Sequence, residues 1–204
     1  NKDVPAADLV KYIQQKENTE ILGFWKLQLG IYNTASLDTA KWTSKNARKI
    51  GEAPVIFSPE LVDASCTQLK RAMNNKGYFR AIVDTTMQVK DRKVNLAYHI
   101  TTNEPYSIRN YSISLDNSEL SSVAQNQRYT LVHNGMQFDA DILNQERQRV
   151  ASTMRRRGYF YFDQDMLQYK ADSTRGKQQI DVKMELQDYI QMLSDEEKAK
   201  IFRV

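Results

Sequence analysis

This 204-residue chain has one cysteine, Cys66, which excludes an internal disulfide framework and any zinc site built from several thiolates. Histidine is nearly as scarce. His99 falls in an alternating strand pattern and His133 in a loop pattern, and neither has a nucleophile or carboxylate partner in sequence. No Gly-x-Ser-x-Gly, His-Glu-x-x-His or phosphate-binding glycine loop is present, so nothing points to an enzyme or to a cofactor. The densest apolar run, Ile21-Leu22-Gly23-Phe24-Trp25, falls far short of the ~18–20 residues of a membrane helix. Charge of one sign is not in excess: 29 basic residues face 25 acidic ones, and the net +4 lies wholly in residues 1–104. A nucleic-acid module concentrates such an excess on one face, and here it is diluted. Glycine (7) and proline (4) are too few for a low-complexity chain. What the chain does have is aromatic content, with 11 Tyr, 7 Phe and 2 Trp.

An internal repeat organises those aromatics. Gly77-Tyr78-Phe79 returns as Gly158-Tyr159-Phe160, 81 residues later. Without a gap, Ser58-Pro59-Glu60-Leu61-Val62 lies over Asp139-Ala140-Asp141-Ile142-Leu143, Leu69 over Val150 and Met73 over Met154. Both stretches read as helices. Ser58 and Asp139 suit the N-cap, Pro59 the first helical position, and Glu60 and Asp141 the positive end of the dipole. Leu61, Cys66, Leu69 and Met73 mark one apolar stripe, and Ile142, Leu143, Val150 and Met154 the other. Gly77 and Gly158 are placed to end the helices at positive φ.

A strand pair follows each motif. Val83, Thr85, Met87 and Val89 alternate with polar residues, the chain turns at residues 90–93, and Val94, Leu96, Tyr98 and Ile100 alternate again. In the second copy Ile180, Val182, Met184 and Leu186 alternate after a turn near residues 171–177 that is longer by five residues. That copy also shows its opening. Pro105-Tyr106 begins a strand through Ile108, Tyr111, Ile113 and Leu115, and Asn117 or Ser118 caps a short helix with Leu120, Val123 and Ala124. The unit reads strand–helix–helix–strand–strand. The first copy is irregular ahead of residue 55, with a helical pattern at 8–15, an extended one at 24–32 and a helical one at 38–50. Either 24–32 is its first strand or that strand lies upstream of Asn1, the favoured reading. Residues 188–200 read as a linker, and 201–204 as the first strand of a truncated further unit, so the chain reads as an excerpt of a longer protein.

This order, with Gly-Tyr-Phe closing the second helix, resembles a POTRA (polypeptide-transport-associated) domain, a module found in tandem before the barrel of the Omp85 superfamily. Residues 69–79 with the hairpin to Ile100, Pro105-Tyr106-Ser107-Ile108, Gly135-Met136-Gln137-Phe138-Asp139, residues 150–160 and residues 180–186 carry the resemblance. Ile31-Tyr32-Asn33 and residues 50–56 are similar to surface-antigen-type (BamA/TamA-like) members from Bacteroidetes. The resemblance implies an α+β fold of tandem βααββ units, each with two helices on a three-stranded sheet: 1–104 with an irregular front, 105–187, and the start of another at 188–204. It further implies a periplasmic scaffold at the outer membrane that binds unfolded outer-membrane or secreted polypeptides and accessory periplasmic lipoproteins. Membrane contact would come through a C-terminal barrel beyond this chain. In the family the first hairpin strand is commonly an open edge, to which an extended peptide adds. Here that edge is Val83 to Val89, with Val83, Thr85, Met87 and Val89, in one unit and Gln164 to Tyr169, with Gln164, Met166 and Gln168, in the other.

The remaining motifs have simpler readings. Tyr78, Phe79, Tyr159 and Phe160 are expected in a core, and Arg155-Arg156-Arg157 at a solvated helix end. Arg157 to Phe162 partly matches an RNA-binding signature, but Phe160 takes the place of its Gly or Ala, so no nucleic acid is expected. Asp139-Ala140-Asp141 and Asp163-Gln164-Asp165 lack a calcium-loop pattern and are read as caps, so no metal is expected. Cys66 is expected as a buried, inert thiol. Two other readings stay open: a cell-envelope scaffold or adhesion protein of the same units without transport function, and, behind it, an RNA-binding protein.

Overall fold

A computed structural model describes residues 4–17, 55–91, 93–115, 118–125, 128–174 and 176–202. The extended pattern at 24–32, the helical pattern at 38–50 and Asn117 lie outside the described residues. The chain divides into two compact units, one of residues 1–70 with 83–99 and the other of residues 71–82 with 100–204.

In the first unit, α1 (Ala6–Leu9) runs into a 3-10 turn at Val10–Tyr12, so the pattern at 8–15 yields less helix than its length suggests. The turn is followed by two long-range ties. Ser65 Oγ accepts from the Gln14 amide at 2.8 Å, and Gln15 Oε1 accepts from the Ser58 amide at 2.9 Å. Helix α2 (Pro59–Asn75) buries Val62, Ser65, Leu69, Ala72 and Met73. Its stripe is therefore rotated from the expected one: Leu61 is exposed and Cys66 only half-buried. Ser65 takes the inward place because its hydroxyl can donate to the Leu61 carbonyl (2.6 Å) while accepting from Gln14. A hydroxyl satisfied at both ends costs little to bury. Strands β1 (Ile82–Lys90) and β2 (Lys93–Thr101) form a hairpin, and β2 keeps the strict half-buried alternation of Val94, Leu96, Tyr98 and Ile100.

The second unit contains β3 (Ser107–Ser114), α3 (Ser118–Ala124), α4 (Ala140–Arg156), β4 (Leu167–Asp172) and β5 (Gln179–Leu186), the strand–helix–helix–strand–strand order. The sheet order is β3-β5-β4, with β3 parallel and β4 antiparallel to the central β5. The fold class is α+β. Ile113, Leu115, Leu120, Ala124, Val150, Met154, Phe162, Leu167, Met184 and Leu186 form one buried cluster, and Ile108, Val132, Leu143, Ile180 and Val182 a second. Ile108 and Tyr111 both face inward although three residues apart, because a bulge sets Arg109 and Asn110 opposite Asp181 alone. One extra residue reverses the parity of the strand. Arg109 clamps the Asp181 carboxylate across that bulge.

Helix α4 begins as expected, with the Asp139 carboxylate accepting from the Asp141 amide. The segment after β5 does not. Instead of a linker and a strand at Ile201, it forms α5 (Asp188–Gln191) and α6 (Asp195–Ile201). Ser194 and Glu197 cap α6 reciprocally, Ile190 is fully buried, and Phe202 lies 5.9 Å from the Phe162 ring. A capping box and an apolar anchor outweigh the strand-like look of Ile201-Phe202, while Arg203 and Val204 lie outside the described residues.

Candidate functional site

Strand β4 is at the edge of its sheet, with no strand among the described residues on the side away from β5. The Gln187 amide donates to the Met166 carbonyl at 2.8 Å, and the register runs without a break from Leu167–Leu186 to Asp172–Asp181. Antiparallel pairs alternate, so Gln168, Lys170 and Asp172 exchange bonds with β5. The N–H and C=O groups of Leu167, Tyr169 and Ala171 point outward.

The opposite edge of the sheet is different. Along β3 the loop at residues 133–138 supplies the missing partner: Ile108 N–H donates to Met136 O (2.8 Å), Gly135 N–H to Ile108 O (2.7 Å), and Tyr111 N–H to the Asn134 side chain (2.9 Å). One edge of this sheet is thus covered over much of its length, while β4 has no flanking strand among the described residues.

Beside the open edge lies a cleft of about 300 Å³ between the first half of α4 and the sheet. Phe138, Leu143, Tyr169, Ala171 and Val182 make it largely apolar, and Arg147 stands in its lining. Two of these, Tyr169 and Ala171, are residues whose backbone faces outward. A strand added to β4 would therefore find hydrogen-bonding groups at every second residue and an apolar recess for side chains on the α4 side.

Buried polar groups hold the cleft wall. Tyr169 donates to the Leu143 carbonyl at 2.9 Å, which fixes its ring against α4. Glu146, with no exposed surface, accepts from Arg149 (2.8 Å), from the Leu131 amide (3.0 Å) and from Tyr111 (3.3 Å). Burial pushes the Tyr111 and Tyr169 phenols far above their ordinary value, so both remain neutral donors. Burial acts against the Arg149 charge, but its bonds to Glu146 outweigh this and hold the guanidinium protonated. The sequence reading missed Glu146, yet it stands three residues after Leu143 and four before Val150, on the apolar stripe. A carboxylate at such a position is the signal for a buried partner.

The expected edge residues are divided by the structure. Gln164 and Met166 are not on a strand. They form a 3-10 turn, held where Asp163 accepts from the Asp165 amide and where Arg147 donates to the Gln164 carbonyl. Gln168 is on β4, but its amide is engaged by Asp188 (2.8 Å) and the Leu186 carbonyl (3.2 Å). Next to it Lys170 bridges Glu185 (2.5 Å) and Asp188 (3.3 Å). The outward-facing backbone clear of these side chains is therefore that of Tyr169, the last residue of the expected stretch, and Ala171, which lies beyond it. In the other unit Val83 is half-buried and Thr85, Met87 (53% exposed) and Val89 (66%) are exposed along β1, which among the described residues pairs only with β2. His99 reaches across that hairpin to Thr86 at 2.8 Å. The Cys66 thiol is pushed up by burial and by Asp63 and Asp84.

The two Gly-Tyr-Phe motifs also part company. Gly77 and Gly158 have φ of 84° and 100°, and Tyr78 is buried. Phe79 packs 5.0 Å from Tyr106 and 5.1 Å from Phe138, and Tyr159 packs against the first cluster. Phe160, expected in the core, is 71% exposed, and Phe162 fills the core place instead. Among the described residues no group of three or more His, Cys, Asp or Glu could hold a metal, and no helix is long and apolar enough to cross a membrane.

No family model matches this chain, and no curated protein sequence matches it. Solved structures do. BamA from Haemophilus ducreyi lacking POTRA domains 1–3 is 14% identical with a TM-score of 0.41, over 67% of this chain and 24% of that one. Haemophilus influenzae BamA POTRA3–5 is 11% identical with a TM-score of 0.39, over 82% of this chain and 57% of that one. POTRA1–3 of Omp85 from Anabaena is 16% identical with a TM-score of 0.32, over 71% and 56%. The chain thus spans between a quarter and three fifths of the length of these structures.

Proposed function

We propose that this chain is a polypeptide-binding and scaffold region, built of tandem POTRA-like units with a boundary near residue 104, of an outer-membrane protein assembly or translocation factor. It works at the periplasmic face of the bacterial outer membrane and has no catalytic step. Its partners are unfolded outer-membrane or secreted polypeptides, together with accessory lipoproteins, and a barrel beyond this chain provides the membrane contact. The observation that carries the reading is the edge of β4 with the apolar cleft beside it. Backbone pairing accepts any extended sequence, while the recess rewards an apolar side chain at alternate positions. That combination suits the alternating strands of an outer-membrane barrel before it folds. Strand β1 is the corresponding edge of the other unit, with Thr85, Met87 and Val89 along it.

Ala171→Pro tests the reading. Proline there removes an outward N–H and takes no bond from the β4–β5 ladder. Titrated with a fluorescent peptide of about ten alternating apolar and polar residues, the wild-type chain binds saturably. The variant keeps its circular dichroism spectrum and loses most of that binding. Thr85→Pro and Met87→Pro test β1 in the same way. Undiminished peptide binding by a folded Ala171→Pro chain rejects strand addition at β4.

A further inference from the structure

The two Gly-Tyr-Phe turns have the same backbone. In the first, Lys76 N–H donates to Met73 O (3.1 Å), Gly77 to Asn74 O (2.9 Å), Tyr78 to Met73 O (3.0 Å) and Ala81 to Tyr78 O (3.0 Å). In the second, Arg157 N–H donates to Met154 O (3.0 Å), Gly158 to Arg155 O (3.1 Å), Tyr159 to Met154 O (3.2 Å) and Phe162 to Tyr159 O (3.0 Å). Each bond is the other displaced by 81 residues.

The surroundings differ. The first turn is seated inside the compact unit of residues 71–82 and 100–204. Its Phe79 ring packs against Tyr106 and Phe138, and Tyr106 N–H donates to Gly77 O at 2.9 Å. The cation before the glycine, Lys76, lies 2.8 Å from Asp139 and 2.9 Å from Asp141, at the start of α4. The seat is an aromatic pair beside two carboxylates, and it receives a cation, a glycine and a phenylalanine.

In the second turn the same three parts are present as Arg157, Gly158 and Phe160, but here the cation and the ring are open to solvent. Phe160 is 71% exposed and Tyr161 next to it 70%, and Arg157 is exposed. Nearby arginines are partly engaged: Arg155 donates to the Phe162 carbonyl (2.9 Å) and Arg156 to the Ser152 carbonyl (3.4 Å). An exposed aromatic pair on a hydrogen-bonded turn with a cation beside it has the composition of an interface anchor.

We propose that the second Gly-Tyr-Phe turn is a docking plug for one further unit of this same repeat. Phe160 enters an aromatic pair of that unit while Arg157 pairs with carboxylates at the start of its long helix, as Phe79 and Lys76 do here. The occupant is identified by charge and shape: the seat that the described residues build for the first turn is acidic and aromatic, and the plug keeps both the cation and the ring. This inference does not depend on strand addition at β4, and its test is blind to that edge.

The seat can be vacated and offered in trans. A fluorescently labelled receiver is the full chain with Lys76→Ala, Phe79→Ala and Phe160→Ala, which frees the carboxylates and the ring position and carries no exposed plug of its own. The unlabelled wild-type chain is the donor, and binding is read by anisotropy. Saturable binding is expected, weakened by about tenfold or more by Phe160→Ala or Arg157→Glu in the donor and by Asp141→Asn in the receiver. Ala171→Pro in the donor leaves it unchanged, which separates this result from failure of the strand-addition reading. A receiver that does not fold is replaced by one that keeps Lys76 and carries only Phe79→Ala and Phe160→Ala, which empties the ring position alone. No saturable binding to a folded receiver overturns the proposal, as does binding indifferent to Phe160→Ala. Loss of affinity for phosphatidylglycerol vesicles on Phe160→Ala, with no receiver binding, overturns it in favour of a lipid surface.

Discussion

Gly77 and Gly135 allow a controlled measurement of the seat. Both lie in the left-handed region at nearly the same angle, φ 84° and 88°. Alanine at either position has the same kind of backbone cost, roughly 1–2 kcal/mol. They differ in what a Cβ would meet. At Gly135 there is nothing within 4 Å, whereas at Gly77 the atom would stand 2.9 Å from Phe138 O, 3.2 Å from Phe138 Cβ and 3.2 Å from Tyr106 O. Two of the three are backbone oxygens, and they cannot swing aside. Tyr106 N–H is bonded to Gly77 O and Phe138 N–H to Tyr106 O. Relief therefore requires the two strand-like segments to separate, which adds about 1–3 kcal/mol. Gly135→Ala should cost about 1–2 kcal/mol and Gly77→Ala about 2–5 kcal/mol. At about 4 °C per kcal/mol the midpoints fall by about 4–8 °C and about 8–20 °C respectively. Thermal melts followed by near-ultraviolet circular dichroism, with urea melts as an independent check, measure the difference. Equal costs for the two substitutions would refute the close approach at Gly77.

The buried pair on α4 makes a second prediction. Arg149→Met leaves the Glu146 carboxylate without its cation and should cost about 3–5 kcal/mol. Glu146→Gln keeps a carbonyl for the Leu131 amide and should cost about 1–3 kcal/mol; denaturant melts that rank them the other way reject the assignment. A third concerns acid. Burial tends to raise the Glu185 pKa, but bonds and charges from Lys170 and Lys183 outweigh it and hold the carboxyl below its ordinary value. Asp188 is held down by its bonds to Gln168 and Lys170. With the folded-state values depressed, their contribution is present above the ordinary carboxylate range and is lost as pH falls through the folded values. Lys170→Met should therefore flatten the decline of stability below about pH 4.5, and a parallel decline in both proteins counts against it. Lys76, whose bonds to Asp139 and Asp141 overcome burial and raise its pKa, contributes in the opposite sense. Its share persists through neutrality and is lost only above about pH 10, which Lys76→Met should show in alkaline melts.

Much of the local structure was legible because its causes are local. Apolar spacing marked α2 and α4, Asp139 announced its own cap, and each Gly-Tyr-Phe placed a positive φ at a helix end. The hairpin β1–β2 and the strand β5 followed from alternation at period two. The β3 bulge was written in the three-residue step from Ile108 to Tyr111, a break in parity that only the pairing with β5 turns into geometry. The residues after Leu186 looked like linker and strand, because a capping box and one buried isoleucine are weaker signals than a run of apolar residues. The candidate site was legible to the strand and not to the residue. Alternation cannot tell which members of a strand turn their backbone outward, so only the register with β5 singled out Tyr169 at the end of the expected stretch and Ala171 beyond it.

The clearest division lies between Phe79 and Phe160. Three identical letters produce the same turn twice, with the same four backbone bonds, because the turn is made by residues within a few positions of one another. Whether the phenylalanine is then covered depends on residues far along the chain. Tyr106 and Phe138 come to one ring, and nothing comparable among the described residues covers the other. Backbone conformation at a helix end is set by neighbours in sequence, whereas burial is set by whatever surface the rest of the fold brings near.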